Sequence, residues 1–253
     1  MTSPIFYGEP AAVAAAVPGA TFVLEGPEAR HAVSVKRLAP GEDVDISDGA
    51  GLRLIGRVLA AAPARLEVEV LGKVDEPEPA GRFILVQALA KGDRDLQAVE
   101  SAVELGVDEV IPWQADRSIV RWNADKAAKA RAKWQGLAAA AAKQSRRARI
   151  PEVAEVAASR TLPGRLAGIG LVLVLHEEAD APLATVLAAA AERYGRGIAV
   201  VVGPEGGISP AELQTLREAG AVVVRLGPHV LRSSTAGPAA LAVLAYELGR
   251  WDA

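Results

Sequence analysis

The stretch VVGPEGGISPAE, Val201–Glu212, decides the reading of the fold. It opens on the end of a β-branched, apolar run, IAVVV (198–202), of the kind that forms a strand buried on both faces. The run stops at Gly-Pro-Glu-Gly-Gly, and a helix start follows almost at once. Ser209 is a good N-cap, Pro210 suits the first helical position, and Glu212 completes a Ser-x-x-Glu capping box. The predicted unit is therefore strand, tight glycine-rich turn, helix. Gly203, Gly206 and Gly207 allow the backbone to approach a ligand closely, although a plain strand-to-helix turn uses the same residues. No Gly-Lys-Ser/Thr follows, so this is not a P-loop, and the G-x-G-x-x-G dinucleotide spacing is absent.

The same rhythm runs outward from this stretch. Downstream lies AVVVRL (221–226), a strand, and RLGPHVLRSSTAGPAAL (225–241), a second Gly-Pro strand exit. There Val230 and Leu231 precede Arg232 and a hydroxyl cluster, Ser233, Ser234 and Thr235, at the start of a helix expected over about 234–248. Upstream, LVLVLHEEAD (171–180) is a strand ending in His176, and a helix over APLATVLAAAAERY follows. FILVQAL (83–89), a helix over 95–105, the short strand DEVIP and a long Ala-rich helix over 125–147 complete the series. Strands alternating with helices imply a mostly parallel sheet covered by helices. Two Gly-Pro exits from one parallel sheet then lie together at its carboxyl edge, where ligands of α/β proteins bind.

Residues before about 75 read differently. TFVLE, DVDIS, LRLIGRVL and ARLEVEVL are short runs, several alternating in polarity, separated by Pro18-Gly19, Pro40-Gly41 and Asp48-Gly49, with one short helix expected over 28–38. They predict a small, mostly antiparallel barrel or sandwich. VDEPEPAG (74–81) is the natural linker, so the expected domains are 1–74 and 75–253. The chain carries a net charge of −3, but residues 115–150 hold ten Lys or Arg against two Asp. A basic patch on an acidic body suggests one defined polyanion site. There is no cysteine, which excludes disulfides, thiolate metal sites and cysteine nucleophiles. The three histidines have no ligand spacing, so no metal is expected. MTSPIFYGEP lacks the pattern of a signal peptide, and no apolar run is long enough to span a bilayer. A cytoplasmic protein with no membrane partner is expected.

GPEGGISPAE together with LGPHVLRSSTAGPAALAVL resembles the RsmE family of 16S ribosomal RNA uridine-N3 methyltransferases, in the SPOUT superfamily. RHAVSVKRLAPGEDVDISDGAG is similar to the family's N-terminal, PUA-like RNA-binding barrel. QALAKGDRDLQAVESAVELGVDEVIPWQADRSIVRW and KWQGLAAAAAKQSRRARIPEV resemble its central helices, so the likeness extends over nearly the whole chain. The resemblance implies an α/β methyltransferase domain with a C-terminal trefoil knot, behind a small PUA-like β-barrel. It implies S-adenosylmethionine as methyl donor, S-adenosylhomocysteine as product, no metal, a homodimer, and 16S ribosomal RNA in the small subunit as substrate. The cofactor would be held by Leu175 and His176, by Gly203, Pro204, Glu205, Gly207 and Ile208, and by Leu226, Gly227, Val230, Leu231 and Ser234. Many relatives carry Glu where this chain has Ser234, so no carboxylate role transfers to that position.

For the chemistry, Arg232 is the first candidate for stabilising charge on the uracil, with an ordinary anion contact as the plainer reading. Glu205 is the nearest acidic candidate for taking the imide proton, with a turn-stabilising role as its alternative. RNA contacts are expected from Arg30, His31 and Arg37, from Arg117 and Arg121, and from Arg146, Arg147 and Arg149. Lys126, Lys129, Arg131 and Lys133 are read as a solvated helix face. Competing readings are a ribose 2′-hydroxyl methyltransferase, an assembly factor that lost turnover, and an unrelated α/β nucleotide-binding protein.

Overall fold

A computed structural model describes residues 3–79 and 81–252, with the side chains of Ala124 and Ala191 left aside. The chain forms two compact units: residues 1–78 with 142–150, and residues 79–141 with 151–253.

The first unit is a five-stranded sheet of order β1-β3-β4-β5-β2. Its strands are β1 (Ile5–Tyr7), β2 (Thr21–Glu25), β3 (Asp43–Ser47), β4 (Leu52–Ala62) and β5 (Arg65–Asp75). All pairings are antiparallel except that of β1 with β3. Alternation decides which side is buried: in β2 only Phe22 and Leu24 are covered. They pack with Phe6, Ile46, Leu54, Leu66 and Val68 in one core. Helices α1 (Pro10–Ala15) and α2 (Gly26–Arg30) belong to this unit, and α2 runs on as a π-helical turn over His31–Val35. The single helix expected over 28–38 is thus shorter and changes its winding.

The nine residues Ala142–Ile150 fold with this first unit, which no local pattern announced. Tyr7 donates its hydroxyl to the Arg147 carbonyl (2.8 Å), Ser47 to the Ala148 carbonyl (2.7 Å), and Arg53 Nη2 to the Arg146 carbonyl (3.1 Å). The long helix α4 (Ala124–Gln144) therefore stops before Arg147, the expected end. Arg146 turns into the left-handed region at φ 61°. The basic stretch 115–150 is consequently shared between the two units.

The second unit is a parallel sheet of order β12-β10-β11-β6-β7-β8, with β9 also on β7. Its strands are β6 (Phe83–Ala88), β7 (Glu109–Gln114), β8 (Glu152–Val153), β9 (Ala157–Ala158), β10 (Leu171–Leu175), β11 (Ile198–Val202) and β12 (Val222–Val224). Every residue of β6 and β11 is buried, as continuous apolar runs covered on both faces require. Helices α3 (Arg94–Glu104) and α8 (Ser233–Glu247) pack together, and both lie against β6. Gly237 lets α8 come close, since a Cβ there would stand 2.8 Å from Leu85 Cδ1. On the opposite face, Leu162 and Leu166 from around α5 (Leu162–Arg165) join Leu213 and Leu216 of α7 (Pro210–Glu218) against Trp113, Val174 and Val201. The short helix α6 (Leu183–Ala189) leads toward β11.

The chain path around β12 sets up the site. β12 lies at the sheet edge beside β10, yet α8, which follows it, packs on β11 and β6. Residues 225–232 must therefore cross the carboxyl ends of the strands. Among the described residues, no helix is long and apolar enough to cross a membrane.

Candidate functional site

Three strand exits meet at the carboxyl edge of the parallel sheet. β10 delivers Leu175, His176 and Glu177, β11 delivers Val202 to Ile208, and the crossing after β12 delivers Leu226 to Arg232. Together with Arg94, Ser233 and Ala236 they enclose a crevice whose main lobe holds about 320 Å³. A smaller lobe of about 70 Å³ is bounded by Arg225, Leu226, Gly227 and His229, and shares Leu175 to Glu177, Val230, Leu231 and Ala236 with the first. The main lobe alone reaches the range usual for small-molecule sites.

Local chemistry fixes the turn 203–208. Ser209 Oγ accepts the Glu212 N–H, and the Glu212 carboxylate accepts the Ser209 N–H at 2.8 Å, so the capping box expected from sequence is formed. Glu212 is only 4 % exposed and binds further. It accepts the Asp116 N–H (2.8 Å) beyond β7 and the Ser159 hydroxyl (2.5 Å) beyond β9. Burial alone would raise its pKa, but the bonds from Ser159, Asp116 and Ser209 outweigh that and hold it below the ordinary glutamate value. One carboxylate thus ties two other segments, the exits of β7 and β9, to the turn. Arg117 follows Asp116 and donates from Nη1 to the Gly206 carbonyl at 3.1 Å.

A second tie joins α8 to the same turn. The fully buried Gln87, at the end of β6, donates to Ser233 Oγ (2.9 Å), and Ser233 donates to the Gly203 carbonyl (3.1 Å). Gly203 must be glycine in this setting. A Cβ there would stand 2.7 Å from Ile208 Cγ1, and Ile208 is buried beneath the crevice. The fit to the S-adenosylmethionine implied above rests on these facts. The cradle is glycine-lined, its walls are apolar at Leu175, Ile208, Val230, Leu231 and Ala236, and charged side chains stand at its rim.

The expected cofactor residues gather here with one exception. Leu175, His176, Gly203, Pro204, Glu205, Gly207, Ile208, Val230 and Leu231 line the main lobe, while Leu226 and Gly227 line the smaller one. Ser234 is buried on the first turn of α8 and is not a wall residue; its neighbour Ser233 is. Arg232 forms the N-cap of α8 with its side chain at the crevice. His176 accepts the Glu178 N–H on Nδ1, which orients the ring.

Glu205 is more engaged than its sequence context suggested. Its Oε1 accepts Arg94 Nη1 at 2.7 Å and the Lys91 N–H at 3.2 Å. Partial burial pushes its pKa up, and the hydrogen bonds from its own N–H, Arg94 and Lys91 more than reverse that, leaving it below the usual value. Arg94 was not foreseen as a site residue, nor were Glu177, Val202 or Ala236. The readable signal for Arg94 was KGDR, the exit of β6 at the same carboxyl edge as the Gly-Pro turns.

The expected RNA residues fall into two groups. Arg117 and Arg121 belong to the second unit, where Arg121 donates to the Asp116 carbonyl. Arg30, His31, Arg37, Arg146, Arg147 and Arg149 belong to the first. There, Lys143 pairs with Glu28 and lies over the rings of Phe6 and Tyr7, beside α2, which ends at Arg30. Arg30 and Arg37 are exposed. Arg149 is built into the unit: its guanidinium donates to the Glu76 carbonyl (2.6 Å) and occupies the space a Cβ on Gly51 would need. Among the described residues, no group of three or more His, Asp or Glu is placed to hold a metal ion.

Two family models match the chain: an RNA methyltransferase domain over residues 76–245 and an RNA methyltransferase PUA domain over residues 24–71. Ribosomal RNA small subunit methyltransferase E of Mycobacterium bovis is 41% identical over 239 residues, covering 93% of this chain and 90% of that one. A crystal structure of Ribosomal RNA small subunit methyltransferase E from Neisseria gonorrhoeae bound to S-adenosyl methionine superposes with a TM-score of 0.84 at 29% identity, covering 97% of this chain and 98% of that one. A methyltransferase from Legionella pneumophila in complex with the bound cofactor SAM gives a TM-score of 0.78 at 25% identity and covers 98% of each chain.

Proposed function

The chain belongs to the family of ribosomal RNA small subunit methyltransferase E and is an S-adenosylmethionine-dependent ribosomal RNA methyltransferase, and on that premise we propose that it methylates N3 of a uridine in 16S ribosomal RNA. The observation that carries the reading is the meeting of three strand exits around one glycine-lined crevice with Arg232 at its rim.

When bound, S-adenosylmethionine supplies a methyl group already activated by its sulfonium. The residues that would hold it are Leu175 and His176, Gly203 to Ile208, and Leu226 to Leu231. Leu226, Val230 and Leu231 would supply apolar walls for the adenine, and backbone N–H and C=O groups of the exits would supply hydrogen bonds to it. Arg232, whose backbone forms the N-cap of α8, would face the target base from the crevice. Its guanidinium stabilises the negative charge that develops on the uracil carbonyl oxygens as N3 loses its proton. Glu205 is a weak base, because Arg94 and Lys91 hold it ionised. A useful general base has a pKa near the working pH. We therefore assign Glu205 to binding and let water take the proton from a base that Arg232 has made more acidic.

Several features support a knotted arrangement: the edge position of β12, the crossing at 225–232 and the return of α8 onto β6 and β11. In the proposal the crevice lies at a homodimer interface, for which exposed Val230 and Leu231 are suitable (78 % and 39 %). The protein works in the cytoplasm, with the small ribosomal subunit as its partner. Arg117 and Arg121 near the crevice, and Arg30, His31, Arg37, Arg146 and Arg147 of the barrel unit, provide the phosphate contacts. N3 of a stacked and paired uridine is inaccessible, so the target nucleotide must be splayed out.

The test uses small subunits from a strain lacking the modification, with methyl-labelled S-adenosylmethionine and mass spectrometry of the digested nucleosides. The label is expected on N3-methyluridine. Label on a ribose 2′-oxygen would overturn the base assignment, and no label at all would favour an assembly factor.

A further inference from the structure

Of the charged side chains that line the main lobe, Arg94, Glu177, Glu205 and Arg232, only Arg94 and Glu205 are joined in an ion pair among the described residues. Arg94 Nη1 and Glu205 Oε1 are 2.7 Å apart, and both side chains line the main lobe alongside Leu175, Val202, Ile208, Val230 and Ala236. They come from different strand exits, β6 and β11. The Glu205 carboxylate is anchored a second time by the Lys91 N–H, so it does not swing freely. Side chains 39 % and 27 % exposed gain little folding stability from pairing. Each also keeps spare capacity: a guanidinium has five N–H donors and a carboxylate about four lone-pair sites.

A fixed cation and a fixed anion side by side match a ligand group that carries both charges on adjacent atoms. An α-amino acid terminus is such a group, with its carboxylate and ammonium on one carbon. We propose that Arg94 and Glu205 form the subsite for the amino-acid end of the methyl donor, Arg94 binding the α-carboxylate and Glu205 the α-ammonium. This rests on reading the crevice as the S-adenosylmethionine site, and it deepens that reading. The pair then fixes the far end of the molecule, while the apolar walls and the smaller lobe hold the nucleoside. Anchoring both ends defines where the sulfonium lies between them.

Calorimetry with two product-like ligands tests the subsite. S-adenosylhomocysteine keeps the amino-acid end, whereas 5′-methylthioadenosine has the same nucleoside and thioether without it. Each is titrated into the full chain and into Arg94→Gln and Glu205→Gln. Loss of a charge-assisted contact should weaken S-adenosylhomocysteine about tenfold or more in each variant, with 5′-methylthioadenosine changed less than about twofold. Retained 5′-methylthioadenosine binding also shows that the variant crevice is folded. Equal weakening of both ligands would overturn the subsite, because the pair would then be shaping the turn. So would no change in either ligand, whether or not the variants lose affinity for RNA. A wild-type chain that binds neither ligand would overturn the cofactor reading of the crevice, and the subsite with it.

Discussion

Replacing Glu212 by Gln keeps the shape of the side chain and removes its charge. The wild-type carboxylate accepts the Asp116 N–H and the Ser159 hydroxyl on Oε1, and the Ser209 N–H on Oε2. A glutamine has one acceptor oxygen. If that oxygen stays with Asp116 and Ser159, its amide N–H₂ faces the Ser209 N–H, donor against donor. One charge-assisted bond is lost, at about 1.5–3 kcal/mol. The two that remain fall to neutral strength, roughly half. The expected loss is about 3–6 kcal/mol, or at least roughly 6 °C in melting temperature for a chain of this length. All four tryptophans, Trp113, Trp122, Trp134 and Trp251, lie in the second unit, so urea unfolding followed by their fluorescence reports that unit alone. The pH dependence has a definite sign. Glu212 has a folded pKa below its unfolded value near 4.5, so its contribution is complete above that pH. It is lost as pH falls through the folded value. The gap between wild type and Glu212→Gln should be fully open at pH 7 and close on acidification below about pH 4.5. A gap under about 0.5 kcal/mol at pH 7, or one that stays constant into acid, would refute the reasoning.

Three further outcomes follow from the geometry. Gly203→Ala drives a methyl against Ile208 and pushes that side chain into the crevice; S-adenosylhomocysteine should bind at least about tenfold more weakly, with about 1–3 kcal/mol of lost stability. Unchanged affinity by calorimetry would contradict the close approach. Arg232→Ala should slow single-turnover methylation under saturating RNA and cofactor by about 100-fold, the usual effect of removing one donor aimed at developing charge. A near-normal rate would leave Arg232 as an anion contact only. Gly51→Ala forces a side chain into φ +114° and onto the Arg149 guanidinium; it should destabilise the first unit by about 2–4 kcal/mol. Hydrogen exchange in β4 and β5 is the readout, and unchanged protection there would count against the built-in role of Arg149.

The parts legible in the sequence are those written in local chemistry. LVLVL and IAVVV read as strands covered on both faces because continuous apolar runs have no other stable place, and both occupy the expected residues. The Ser209–Glu212 box sits within four residues, so spacing alone announced it. The two Gly-Pro exits pointed to the carboxyl edge where the crevice lies. Other features depend on partners far along the chain. The excursion Ala142–Ile150 is held by Tyr7, Ser47 and Arg53, 93 to 140 positions away, while its own sequence looks like the end of a basic helix. Strands β1, β8 and β9 have three residues or fewer, too few for any periodicity. Arg94 resembles an ordinary solvated cation at a helix start until the fold sets it beside Glu205. Ser233 and Ser234 are alike on paper, and only the approach of α8 to Gly203 selects Ser233.

The most direct test of the central claim is a diffraction structure of crystals grown with S-adenosylhomocysteine. Density is expected for a bent nucleoside with its adenine between Leu226, Val230 and Leu231, its ribose beside Gly203 and its amino-acid end at Arg94 and Glu205. A crevice without the ligand at saturating concentration, or the ligand bound away from these three strand exits, would contradict it.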